Sequence, residues 1–565
     1  MKILGICHDV LICSAALIVD GRVVSAIPEE RLDRRKQSRV FPTLAIQRCL
    51  ADAGLELSDL DEVAIAWNPS IELENMPGGY LTRRWRTEHL SQVPAQLMRI
   101  AGAKASNELT MTGTAEAAPP ITFVNHYDSH VGNAFYLSPH EEAAIVVLDG
   151  RAERQTSLLA RGSGAKVERL SEVRFPHSLG LFYGAITQFV GFRPDSDEWK
   201  VMALASYAQG DNEFYEPMSR LVRVHEDGTF DLALDFFEFY NFFDGRMYSD
   251  KFVKLFGAPR RKSDPLDGRH ERLAGAMQRV FEESVTKVLT ALHRRTGLDN
   301  LVATGGCFMN SVYNGKITEK TPFKQAFITS CPDDSGTAIG AALWLHAQRT
   351  GKRSEPERHN YWGPEYSDAA CLDVATRFRI PNVEVCQDVA GRAAQDLVDG
   401  KIIGWFQGRM EFGQRALGNR SILLDPRRKD GKDVVNAAIK FREAFRPFAP
   451  AILAEHVAEW FECEPGTLVP FMEKVLMFRP EKRELVPAVV HSDGSGRLQT
   501  VDADSSIRYR QLIQQFERLT GVPIVLNTSF NLNGEPVVCS PDDALRTFYT
   551  CALDVLYLGN VRISK

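Results

Sequence analysis

The chain has 565 residues, with 67 Lys and Arg against 73 Asp and Glu, 44% hydrophobic and 25% charged residues. That composition is globular and excludes disorder, collagen and coiled coil, while the length exceeds what one hydrophobic core supports, so two or more domains are expected. A net charge of −6 offers no field for a nucleic acid backbone, and no apolar run reaches the ~18 residues of a membrane-spanning helix. The ten cysteines contain no C-x-x-C pair and the N-terminal MKILGICHDV is broken by His8 and Asp9. A reduced, cytoplasmic protein without a zinc knuckle or secretory signal is expected.

Ala15–Val19, Asp20-Gly21 and Arg22–Ala26 read as a β-hairpin, because Asp-Gly between apolar runs favours a tight turn. An amphipathic helix is expected over 44–53 with Gly54 as its stop, then a strand over 63–67. Residues 76–118 are polar and irregular. The run Ala143–Leu148 again leads into Asp-Gly, at 149–150, and a strand follows through Ser157–Leu159. Two such hairpins point to a duplicated half. Residues 208–275 read as an insertion whose aromatics (Phe236, Phe237, Phe239, Tyr240, Phe242, Phe243) serve either as local core or as a pocket wall. A long helix over 272–296 precedes the strand 301–304, which runs into Gly305-Gly306; Asp334-Ser335-Gly336 opens a helix over 337–349. The polar, proline-bearing stretch 351–368 reads as a linker between domains 1–350 and 369–565. Strands at 402–406 and 524–526 complete an α/β pattern in both parts.

Three constellations carry chemistry. His126 and His130, spaced H-x-x-x-H after the strand 121–124, share one helix face and suit a metal ion, or are simply core or solvated histidines. Asp149 ends a buried-type strand, where a carboxylate needs a partner, and Asp334 sits at a strand-to-helix turn. Two imidazoles and two carboxylates would suit Fe(II), Zn or Mn. Gly305, Gly306 and Asn310 form either a phosphate-binding turn or a tight packing turn. Between 409 and 446, ten Lys and Arg face five Asp and Glu. Arg415, Lys440, Arg442 and Arg446 therefore favour an anionic ligand over pairing with Glu411, Asp425 and Glu443, and Asn527-Thr528-Ser529 adds neutral donors.

Taken together, SAALIVDG, EERLDRRK, NHYDSH, IVVLDG, SLGLFYGAITQFVGF, WKVMALASYA, ATGGCFMNSVYNGKI, DDSGTAIGAAL, GRMEFGQRALGNRSILLDPR, IKFREAFRPFAP, VPIVLNTSFNLNGEPVV and PDDALRTF closely resemble the nodulation-factor and antibiotic O-carbamoyltransferases. The resemblance implies an N-terminal duplicated actin/sugar-kinase/chaperone-ATPase fold and a C-terminal α/β domain like threonylcarbamoyl-adenylate synthase. It implies that carbamoyl phosphate and ATP (with Mg) give carbamoyl-adenylate in the C-terminal domain. The carbamoyl group would then pass to a hydroxyl of a small natural product at an iron-type site of His126, His130, Asp149 and Asp334 in the N-terminal domain. His130 would also serve catalysis. Gly150, Gly305, Gly306 and Asn310 match its nucleotide turns, and Arg415, Lys440, Arg442, Arg446, Asn527 and Ser529 its carbamoyl-phosphate and nucleotide site. The family reads His-Asp-x-Ala-Ala beside the acceptor hydroxyl, whereas here Val10–Ser14 follow His8-Asp9; Arg151–Arg154 replace the small residues after Asp149-Gly150. A sheltered cavity joining the two sites and, on base rates, a homodimer are expected. Acceptor specificity is expected in 67–120 and 208–275. The alternatives are tRNA-type threonylcarbamoyl modification and a non-transferase ATPase or binding protein of the chaperone/sugar-kinase fold.

Overall fold

The computed structural model describes residues 1–8, 12–74, 89–102, 119–208, 210, 212–240, 245–440 and 448–565. Residues 1–29, 38–310 and 316–357 form one compact unit, and residues 30–37, 311–315 and 358–565 a second.

The first unit is built twice on one plan. Strands β1 (Lys2–Cys7), β2 (Ser14–Val19) and β3 (Arg22–Pro28) make an antiparallel meander, and β4 (Glu62–Ile65) and β5 (Ile121–Phe123) extend it in parallel, giving the order β3-β2-β1-β4-β5. Strands β6 (Glu142–Leu148), β7 (Gln155–Ser163) and β8 (Lys166–Arg174) repeat the meander, and β9 (Asn300–Thr304) and β10 (Gln325–Ile328) extend it, in the order β8-β7-β6-β9-β10. The duplication is therefore real, but the two Asp-Gly pairs are not its equivalent points. Asp20-Gly21, both at positive φ, turn β2 into β3, whereas Asp149-Gly150 lie between β6 and β7. The counterpart of Asp149 is the β1–β2 connection, residues 8–13, which carries His8 and Asp9; Asp9 lies outside the described residues. Asp-Gly serves as a hairpin turn in one half and as the end of a central strand in the other, so local motif matching misaligned the copies.

Helix α1 (Thr43–Ala53) ends at Gly54, which takes a left-handed φ of 64° and donates to the helix carbonyls. Helix α2 (His126–Phe135) starts at Asn125, whose side chain accepts from the backbone N–H groups of Tyr127 and Asp128. The long helix α3 (Gly268–Thr296) begins in a capping box around Asp267, and α4 (Thr337–Thr350) follows the Asp334 turn. Helices α2 and α4 cross at glycines: a Cβ on Gly340 would lie 1.7 Å from the Ser129 carbonyl. Aromatics of the 208–275 segment, Phe237, Phe252 and Phe256, are buried in this unit, with Phe189 against Phe252. Phe242 and Phe243 lie outside the described residues.

The second unit holds an eight-stranded mixed sheet of β11 (Val383–Val385), β12 (Ile403–Phe406), β13 (Arg420–Leu424), β14 (Ala449–Leu453), β15 (Gln499–Val501), β16 (Ile524–Ser529), β17 (Val555–Leu558) and β18 (Val561–Ser564), ordered β11-β18-β17-β12-β13-β16-β14-β15. Helices α5 (Val389–Val398) and α6 (Ile507–Thr520) pack together against it, and α7 (Pro541–Tyr549) packs on β12 and β17. The core includes Trp405, Leu423, Ile452, Phe516, Val525 and Leu556. The stretch read as a linker is anchored at both ends. Arg353 donates to the Phe135 and Ser138 carbonyls in the first unit, and Asp368 receives both terminal nitrogens of Arg508 in the second.

Candidate metal centre and phosphate site

In the first unit the duplicated sheet brings four predicted side chains to one point. Helical spacing stacks His126 and His130, with their Nε2 atoms 3.2 Å apart. β6 delivers Asp149 at its C-terminal end, and the turn before α4 delivers Asp334. Asp334 Oδ1 lies 3.3 Å from His126 Nε2 and 3.6 Å from His130 Nε2; Asp149 Oδ2 lies 3.6 and 3.5 Å from the same two atoms. One donor atom from each of the four residues falls within 4.8 Å of the others. The histidines are buried, whereas the Asp334 side chain keeps 29% of its surface exposed, so the cluster opens on the Asp334 side.

The surroundings fix the donor atoms. His126 Nδ1 lies 3.1 Å from the Ala66 carbonyl, which can only accept, so in the neutral ring this nitrogen carries the proton and Nε2 the lone pair. Burial disfavours an imidazolium here, but the Asp334 and Asp149 carboxylates outweigh it and push His126 up to about 10. Asp149 is held well below the usual carboxylate range: burial opposes this, and hydrogen bonds to His126 and His130 overcome it. Two nitrogen lone pairs and two carboxylates aimed at one another are electrostatically balanced by protons or by a cation. The donor set fits a divalent transition metal.

Gly306 donates its backbone N–H to Asp149 Oδ1 at 2.9 Å, and a Cβ on Gly306 would come within 2.8 Å of that oxygen. Gly305, at φ 96°, lets the chain pass Leu148, whose carbonyl a Cβ would meet at 2.2 Å. These glycines thus seat Asp149. Gly150 has open space where a Cβ would be, and its carbonyl accepts from the Ser178 hydroxyl at 2.7 Å. Asn310 exchanges hydrogen bonds with Gln278. His8 is buried with its ring 5.3 Å from that of Phe41. The residues after Asp149-Gly150 have a structural use of their own. Glu153 Oε1 accepts the backbone N–H groups of Asn68 (2.8 Å) and His126 (2.9 Å), and Oε2 accepts from Asn125 Nδ2 (3.0 Å). Glu153 therefore anchors the start of α2.

In the second unit the arginine-rich segment resolves into two groups. Arg420 is buried, its guanidinium 3.6 Å from the centre of the Phe406 ring, and donates to the carbonyls of Gln407, Gly408, Asn419 and Pro364. Arg409 donates to Trp362 and Gly363 carbonyls, Arg427 pairs with Asp425, and Arg428 with Asp430. Glu411 pairs with none of them: one of its oxygens accepts the backbone N–H groups of Leu417, Asn419 and Arg420 and shapes the loop that carries Arg415. Asn527 bonds to that loop at Ala416, and Lys440 bonds to the end of the strand that carries Asn527. Asn527 and Ser529 share one face of β16. Asn527 donates to the Ala416 carbonyl (3.1 Å) and to Gln499 (3.0 Å), and Lys440 donates to the Ser529 carbonyl and to Asn531. Arg442 and Arg446 lie outside the described residues. Sequence reasoning missed Glu153 as an anchor, the Ala66 carbonyl, Glu411 as a loop organiser and Gln499. Only Glu153 and Glu411 left a sequence signal, as lone acids within functional segments.

Among the described residues no helix is long and apolar enough to cross a membrane. The model of the "Carbamoyltransferase N-terminus" matches residues 2–343, and that of the "Carbamoyltransferase C-terminus" residues 394–565. Nodulation protein NolNO of Sinorhizobium fredii is 37% identical over 98% of this chain and 78% of its own length. Nodulation protein NolO of Bradyrhizobium diazoefficiens is 36% identical over 78% of this chain and 79% of its own. Among solved structures, the activator of the 2-hydroxyisocaproyl-CoA dehydratase from Clostridium difficile with bound ADPNP is 12% identical, with a TM-score of 0.33 over 62% of this chain and 96% of that one. HypF from T. kodakarensis is 12% identical, with a TM-score of 0.32 over 62% of this chain and 48% of that one. Two family models that leave only residue 1 and the stretch 344–393 unmatched, with a relative 37% identical over 98% of the chain, establish that this chain belongs to the carbamoyltransferase family.

Proposed function

We propose that the chain is an ATP-dependent O-carbamoyltransferase with two reaction centres. In the second unit, carbamoyl phosphate is hydrolysed by water to carbamate and phosphate. A carbamate oxygen then attacks the α-phosphorus of ATP and expels pyrophosphate, giving carbamoyl-adenylate. Arg415 and Lys440 supply positive charge for the phosphates, and Ser529 a hydroxyl donor. In the first unit, the hydroxyl of a small-molecule acceptor attacks the carbamoyl carbon and the carbon–oxygen bond to AMP breaks, with the hydroxyl proton leaving to a base. His8, in the loop equivalent to that of Asp149, is the proposed neighbour of that hydroxyl. A divalent cation such as Fe(II), bound by His126, His130, Asp149 and Asp334, would supply Lewis-acid polarisation and a template for the adenylate phosphate.

The observation that carries this reading is the convergence of the four donors, closed on the histidine side and open at Asp334, in a chain of the carbamoyltransferase family. An open position is what distinguishes a working metal site from a structural one. The test is intact-mass analysis of hydroxylated metabolites incubated with purified protein, ATP and carbamoyl phosphate. Gain of one carbamoyl group with release of AMP and pyrophosphate, only when both donors are present, is expected. Transfer without ATP, or without AMP formation, would contradict the adenylate route.

A further inference from the structure

Residues 30–37 come from the N-terminal tenth of the chain yet belong to the second unit. The segment reads ERLDRRKQ and lies far in sequence from the loop that carries Arg415, but touches that loop at Gly413. Arg31 is 2% exposed, and its Nη2 donates to the carbonyl of Gly413 at 2.9 Å. Its Nη1 lies 3.0 Å from Glu30 Oε1, and Glu30 is fully buried. Glu30 is fixed in turn by the backbone N–H of Gln37, 2.7 Å from its Oε2. Burial would raise the Glu30 carboxyl, but Arg31 and Lys36 beside it hold it below its ordinary value. The ion pair therefore persists, and the guanidinium is a rigid post.

Gly413 is the residue this post grips, and it sits at φ 103°, a conformation open to few residues other than glycine. Two residues on is Arg415. Glu411 and Asn527 hold the far side of the same loop, at Leu417–Arg420 and Ala416. Arg31 supplies the near side. A buried, charge-balanced arginine bonded to one carbonyl contributes little net stability compared with apolar packing, whereas fixing a loop that grips a phosphate contributes directly to rate, since misplacing a group by about 1 Å can cost about 10²-fold.

We propose that Arg31 is a positioning residue for the anion site of the second unit: its bond to Gly413 sets the loop so that Arg415 meets carbamoyl phosphate. This rests on the reading of that site given under Proposed function. The test is a double-mutant cycle on the full-length protein, read by carbamoyl-phosphate-dependent exchange of labelled pyrophosphate into ATP. The E30Q/R31M pair removes both charges together, so no buried ion is left alone, and R31K keeps one donor as a second variant should the pair fold poorly by circular dichroism. The pair should lower exchange about 10²-fold in the parent and by less than about threefold in an R415Q background. R31K should recover part of the loss, and R35Q, exposed in the same segment, should match wild type. An equal loss in both backgrounds, no loss in the parent, or an equal loss in R35Q would overturn the proposal. Absence of exchange in the wild type, or full exchange in R415Q, would instead overturn the reading of the site on which it rests.

Discussion

His126 has its chemistry set by groups far from it in sequence. The Ala66 carbonyl, 3.1 Å from Nδ1, points Nε2 at Asp149, Asp334 and His130. The grouping of the four side chains was legible in the sequence. Histidines four apart on a helix face share a point in space, and an aspartate ending a run such as IVVL must find a partner. The supports were not legible, because they are backbone carbonyls or side chains chosen by tertiary proximity. Glu153 illustrates this: it reads as a departure from the family pattern, but its carboxylate takes up the N–H of His126 that no helical carbonyl can reach. Asn527 shows the converse, since an amide expected to face a ligand spends both protons on Ala416 and Gln499. Glu153→Ala should therefore leave the four ligands intact yet weaken metal binding about 10- to 100-fold, measured by competition with a chelator of known affinity. Unchanged affinity would remove Glu153 from the account.

At the level of elements, the sheet plan follows from short signals. The apolar runs and the single-turn hairpin at Asp20-Gly21 placed the strands, and α1 begins one residue before its predicted start at the same stop, Gly54. The long helix α3 begins four residues earlier than its apolar periodicity, because its first turn, GRHE, is polar and is defined by the Asp267 cap. Which elements touch was not legible. The crossing of α2 and α4 depends on glycines, Gly132 and Gly340, that look unremarkable in sequence. A Cβ on Gly340 would strike the Ser129 carbonyl at 1.7 Å. Ser129 sits beside His130, and Gly340 lies on the helix that follows Asp334. Gly340→Val should thus destabilise the first unit by on the order of 3 kcal/mol and lower its metal content, checked by thermal unfolding and metal analysis on the same sample. Wild-type stability would show that the helices can separate at no cost.

On the scale of the whole molecule, the main chain divides between Glu357 and Arg358, inside the stretch read as a linker, but two short segments, 30–37 and 311–315, count with the second unit. Sequence order alone could not assign them. The Asn314 side chain, for example, donates to the Glu473 carbonyl at 2.9 Å, a pairing no local pattern encodes. The proposed chemistry divides in the same way, with activation at Arg415, Lys440 and Ser529 and transfer at the His126–His130–Asp149–Asp334 cluster. One comparison tests that division most directly, the rate of carbamoyl transfer to an acceptor against the rate of carbamoyl-phosphate-dependent ATP–pyrophosphate exchange in His130→Ala. Transfer should fall about 10²-fold or more, with exchange within about twofold of wild type. Loss of both in step, or transfer at the wild-type rate, would contradict it.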